Sequence, residues 1–143
     1  MTAETLEWVV RGAGIGHFAI AAASAGVPSA LGWREDVAKL KPINRQIFYT
    51  YAGYILTINA LFGVIATFGA PWLIDRTPLA ACVTGFIAAY WGVRVTLQFV
   101  YYDRKSTPKG LKYTVGEAFF VTLFAVLTVV LGYATWFNLS EPA

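Results

Sequence analysis

The stretch Val115–Phe137, V-G-E-A-F-F-V-T-L-F-A-V-L-T-V-V-L-G-Y-A-T-W-F, carries a single charged side chain, Glu117, in 23 residues. About 20 predominantly apolar residues in a helix cross a hydrocarbon core about 30 Å thick, so this segment reads as a transmembrane helix. Working back along the chain, three more stretches read the same way, at about 9–31, 47–73 and 79–101. The breaks between them are polar. Gly32–Asn44 holds Trp33, Arg34, Glu35, Asp36, Lys39, Lys41 and Pro42; Ile74–Pro78 reads I-D-R-T-P; Asp103–Lys112 reads D-R-K-S-T-P-K-G-L-K. Such runs of charge, Gly and Pro are turn chemistry. The expectation is an all-α membrane protein, one domain over 1–143, with four transmembrane helices in an antiparallel bundle.

Composition agrees. Hydrophobic residues make up 57% of the chain and charged residues 13%, with a mean hydropathy of +0.57. A soluble domain has about 45–50% apolar and about 25% charged residues, so here too little polar surface exists to face water on all sides. One Cys, Cys82, and one His, His17, exclude an internal disulfide, a dithiol pair, a thiolate zinc site and a bis-histidine haem from this chain alone. No cofactor or metal is expected. The net charge of +3 is small and sits in two loops, a poor match to a nucleic-acid-binding face.

The first segment is the least apolar of the four. It opens with Glu4, Glu7 and Arg11, contains His17, and is built of Gly and Ala more than Leu. A cleaved signal peptide is the alternative, because Ala21–Ala25 resembles a cleavage region. Its leading residues are acidic rather than basic and the apolar run continues past the small residues, so it is read as a retained span.

Lys and Arg in short loops set orientation. Arg34, Lys39, Lys41, Arg45, Arg104, Lys105, Lys109 and Lys112 fall on one side, against Arg11 and Arg76 on the other. The basic loops are therefore expected to be cytoplasmic and both termini external, a bias that suits a bacterial inner (plasma) membrane. Trp33, Phe48, Tyr49, Tyr51, Tyr101, Tyr102 and Tyr113 gather at the expected inner interface, and Trp8, Trp72, Tyr133, Trp136 and Phe137 at the outer one. Rings with a polar edge favour headgroup depth. Trp33, Val37 and Leu40 share one face of the first basic loop, which suits a short interfacial helix or an ordinary connector.

Ionisable side chains within a span are costly unless paired or hydrated. His17, Arg94 and Glu117 are the candidates, with Asn59, Gln98, Thr57 and Thr122 as uncharged polar companions. A short loop makes the third and fourth segments antiparallel neighbours, so Arg94 and Glu117 are expected at similar depth as an ion pair, with Gln98 sharing the donors. The pair either fixes helix packing or marks a site for an anionic headgroup, a quinone or an ion. His17 is expected about a third of the way down the first segment as a hydrogen-bonded packing residue facing Asn59, with a proton-relay role as the sharper option. Gly12 and Gly16, and Gly85 with Ala89 and Gly92, form small-residue faces that let helices approach closely, within the bundle or against another subunit. G-A-G-I-G-H lacks the Lys and Ser/Thr of a phosphate loop, and Ser24 lies too far from His17 for a nucleophile–base pair.

Lys41–Tyr54, K-P-I-N-R-Q-I-F-Y-T-Y-A-G-Y, resembles the start of the second helix in four-helix sterol-pathway scaffold proteins, over about a tenth of the chain and without a second signature elsewhere. With no catalytic constellation present, the leading expectation is a non-catalytic multi-pass membrane protein. It would be an accessory or scaffold subunit, or a small homo-oligomer, contacting membrane lipid and partner helices. The alternatives are a small dimeric transporter or channel with Arg94 and Glu117 on its path, and an intramembrane enzyme handling lipids or quinones.

Overall fold

The computed structural model describes residues 1–103 and 108–140. Arg104 and Lys105 of the second basic loop lie outside the described residues. Those described form six helices and no strand: α1 (Ala3–Ala30), α2 (Trp33–Ala38), α3 (Pro42–Phe68), α4 (Ala70–Leu73), α5 (Pro78–Val100) and α6 (Leu111–Leu139). Three of them, α3, α5 and α6, are long and apolar enough to cross a membrane. The chain is thus an all-helical protein whose composition and helix lengths suggest integral membrane residence.

α1 begins six residues before the expected start because Thr2 caps it, its hydroxyl accepting from Thr5 N at 3.2 Å. At 28 residues it is about 42 Å long. Length is not what sets it apart from the other three. Its Gly, Ala, Ser and His content leaves it less apolar. The expected single segment 47–73 is broken instead at Gly69, where a Cβ would stand 2.7 Å from Ile65 O. Pro71 follows in the first turn of α4, where its missing N–H costs nothing. α5 is capped by Thr77, whose hydroxyl accepts from Ala80 N at 3.1 Å, with Pro78 in its first turn.

The long helices run antiparallel to their neighbours. α1 lies on α3 with Gly14 against Ala66 and Thr67, and the Phe18 ring against Gly63. α5 lies on α6 with Gly85 against Thr135 and Gly92 against Thr128. α1 and α6 join the two pairs, Gly16 facing Leu123 and Leu127. Two apolar clusters result. One gathers Ile20, Phe62, Ile87, Trp91, Phe124 and Leu127; the other gathers Leu6, Val10, Ala66, Leu73, Ala134 and Phe137.

Outward faces are as apolar as the core. In an 18-residue apolar window of α3, α5 and α6 only 22%, 33% and 17% of residues are buried within the chain, so most of each apolar span looks outward. α2 forms in the first basic loop, with Val37 buried and Trp33 edge-on to Phe48 at 4.9 Å. Lys39 donates to Asp36 at 2.9 Å, and that bond holds the ammonium above the usual lysine range. Both partners are largely exposed, so the pair adds little to stability.

Candidate functional site: a buried imidazole layer and an unsatisfied guanidinium

His17 lies near the midpoint of α1, fully buried. Its Nδ1 is 2.7 Å from Ala13 O, and its Nε2 is 2.9 Å from Trp91 Nε1. A carbonyl only accepts and an indole N–H only donates, so the proton must sit on Nδ1 and Nε2 must be bare. The imidazole is held neutral in one tautomer, with both nitrogens used. Phe62 meets the ring edge-on at 5.9 Å, and Trp91 stacks on Phe124 at 4.9 Å. α1, α3, α5 and α6 each contribute a ring to this layer. Asn59, expected opposite His17, accepts instead from the Tyr90 hydroxyl at 3.1 Å, tying α3 to α5. His17 faces α5 because α1 packs between α3 and α6, so its free edge points across the centre.

The expected depth match between Arg94 and Glu117 is offset at the backbone. The register that pairs Gly85 with Thr135 and Gly92 with Thr128 sets Arg94 opposite Val126. Positions 117 and 126 are nine residues apart, about 14 Å along a helix. Among the described residues the ion pairs within 4.0 Å are Arg11–Glu7 and Lys39–Asp36. Glu117 accepts from Gln98 Nε2 at 3.2 Å. The Arg94 guanidinium lies 4.9 Å from the Tyr102 ring centre and 5.2 Å from that of Phe124. Its Nη1 is buried with no hydrogen-bond partner.

The small residues divide by environment. A Cβ on Gly14 would sit 2.6 Å from Thr67 N, so Gly14 is where α1 and α3 come closest, while Gly12 faces open space. Ala88, Ala89, Gly92, Val93, Thr96 and Thr128 line a shallow apolar groove of about 540 Å³ on the outside of α5 and α6. Thr57 and Thr122 are exposed on outward faces.

Sequence reasoning passed over the end opposite the basic loops. Asn138 is buried there; its Nδ2 donates to Leu73 O at 2.8 Å and its Oδ1 accepts from Arg76 N at 3.0 Å. Arg76 adopts φ 60°, donates to Ser140 O at 2.6 Å and covers the Phe137 ring at 4.2 Å. Arg11 pairs with Glu7 at 2.8 Å and donates to Thr67 O at 2.7 Å, satisfying a carbonyl at the end of α3. Trp91 was also passed over, although a Trp far from either expected interface is a sequence signal for a core partner. Among the described residues no three His, Cys, Asp or Glu side chains are grouped to hold a metal. Comparison with protein-family models, curated proteins and solved structures finds no match to this chain.

Proposed function

We propose that this chain is a four-crossing, non-catalytic membrane protein that works by packing against partner helices and lipid, as an accessory or scaffold subunit or a small homo-oligomer. The observation that carries the reading is the division of labour between core and surface. The core imidazole has both nitrogens committed, Nδ1 to Ala13 O within α1 and Nε2 to the Trp91 indole of α5. The surface is broad, apolar and, on α5 and α6, grooved by small residues where another backbone fits closely. Support for α1 as the fourth crossing comes from its antiparallel packing against α3 and α6, alongside the more apolar helices. With four crossings, the loops bearing Arg34, Lys39, Lys41, Arg45, Lys109 and Lys112 share the cytoplasmic face and the termini are external, as suits a bacterial inner membrane.

Crosslinking in native membranes tests the reading. The expected result is a discrete higher-mass species, whether an oligomer or a complex with a second membrane protein, that Gly92→Leu weakens by filling the groove. A chain that stays monomeric under crosslinking, with no partner at any crosslinker length, contradicts it.

A further inference from the structure

The buried residues of the four long helices stop at one level: Ile20 in α1, Asn59 in α3, Trp91 in α5 and Phe124 in α6. Toward the basic loops, positions 21–30, 42–58, 92–100 and 111–123 contain no buried residue. That half of the bundle is splayed, and the aromatic layer around His17 is its floor. α3 and α5 do not pack closely by their backbones, and they meet through side chains, Tyr90 to Asn59 and Phe62 to Phe86 and Tyr90.

Arg94 stands one turn beyond that floor. Among the described residues its guanidinium makes no hydrogen bond and no ion pair, and Nη1 is buried without an acceptor. A cation left this way within a membrane is strongly unfavourable, which points to an acceptor supplied from outside the chain. The Tyr102 and Phe124 rings fix the guanidinium by its face, so its N–H fork is held in place ahead of any ligand. Lys39, Lys41, Arg45, Lys109 and Lys112 are exposed around the mouth of the same half, a largely basic rim that also carries Glu35, Asp36 and Asp103. Glu117, hydrogen-bonded to Gln98, is the acidic group on its α6 wall.

We propose that the splayed half is a binding cleft for a phosphate-bearing amphiphile of the inner leaflet. Its phosphate oxyanion is taken by Arg94 and its chains leave between α3 and α5. The planar guanidinium fork matches two phosphate oxygens, and the lateral gap gives acyl chains a path that stays in hydrocarbon. Asn59 and the Tyr90 hydroxyl, at the floor, lie within the same gap. The proposal rests on the membrane reading above and assigns that surface a lipid ligand class.

The test is lipid retention by the full chain in mild detergent, read by native mass spectrometry with dioleoyl phosphatidylglycerol or dioleoylglycerol, which share chains and differ in the phosphate headgroup. One charge-assisted hydrogen-bond set predicts a preference for the phospholipid of about tenfold or more. Arg94→Gln should bring the two lipids to parity, Arg94→Lys should keep part of the preference, and a Lys41→Gln, Lys109→Gln rim variant should keep most of it. Equal retention of both lipids by the unaltered chain overturns the proposal, as does an unchanged preference in Arg94→Gln. Displacement of the lipid by millimolar inorganic phosphate overturns the lipid source and assigns the site to free phosphate. Loss of a crosslinked partner in Arg94→Gln with lipid preference intact overturns it in favour of a partner's acidic side chain. Loop labelling in membranes, which tests the four-crossing reading, is independent of this readout, so the two failures are distinguishable.

Discussion

His17 shows how one polar residue is accommodated inside an apolar core: every ring nitrogen has a partner, and the partners dictate the tautomer. Replacing it with Ala leaves a cavity and an orphaned Trp91 N–H, and should cost about 2–4 kcal/mol in thermal unfolding followed in detergent. His17→Phe fills the space but still strands the indole donor, so it should recover only part of that loss. Full stability in His17→Ala would mean the hydrogen bond to Trp91 does not hold the helices. Gly14 and Gly12 make a sharper pair. A methyl group at Gly14 meets Thr67 and Ala66 backbone atoms, whereas one at Gly12 meets nothing. Gly14→Ala should destabilise by about 1–3 kcal/mol, while Gly12→Ala should be neutral or slightly stabilising. Equal effects at the two positions would contradict the packing described. The sequence marked this stretch of α1 as a close-approach face, yet singled out Gly12 and Gly16. Helical spacing alone fixes which residues share a face but not which face meets the neighbour.

At the scale of elements, α1 and the α4–α5 turn carry the most information. α1 is the least apolar of the long helices and relies on Arg11 to Thr67, His17 to Trp91 and the Gly14 contact for its place. In a membrane-insertion assay with an engineered glycosylation site, α1 alone should insert less efficiently than α6 alone and gain when α3 follows it. Equal insertion of α1 and α6 in isolation would remove that dependence. Asn138 holds the turn after α4 through two hydrogen bonds, so Asn138→Leu should destabilise by about 1–3 kcal/mol, with the effect confined to that end of the molecule. Hydrogen exchange at Arg76 and Thr77 is the local readout. The break at Gly69 was not legible, because hydropathy runs unbroken through Trp72 and Leu73 while the backbone turns at the glycine. The depth of Arg94 relative to Glu117 was not legible either. A short loop fixes adjacency, but the register between α5 and α6 is set by Gly85 and Gly92 fitting against Thr135 and Thr128.

For the whole molecule, the helical character and the apolar spans of α3, α5 and α6 could be read directly from hydropathy, because a long uncharged run has few other uses. The asymmetry between a closed half and a splayed half could not. It emerges only when the last buried residue of each helix is placed at a common level, with Arg94 one turn beyond it. The proposed function has the molecule cross the bilayer four times with its two basic loops together. The most direct measurement is thiol labelling in intact cells or sealed vesicles with a membrane-impermeant maleimide. Cys82 is the chain's one cysteine, so a Cys82→Ser background allows single reporters Lys39→Cys, Asp75→Cys and Lys109→Cys. The account predicts that positions 39 and 109 label from one face and position 75 from the other; labelling of 39 and 109 from opposite faces would contradict it.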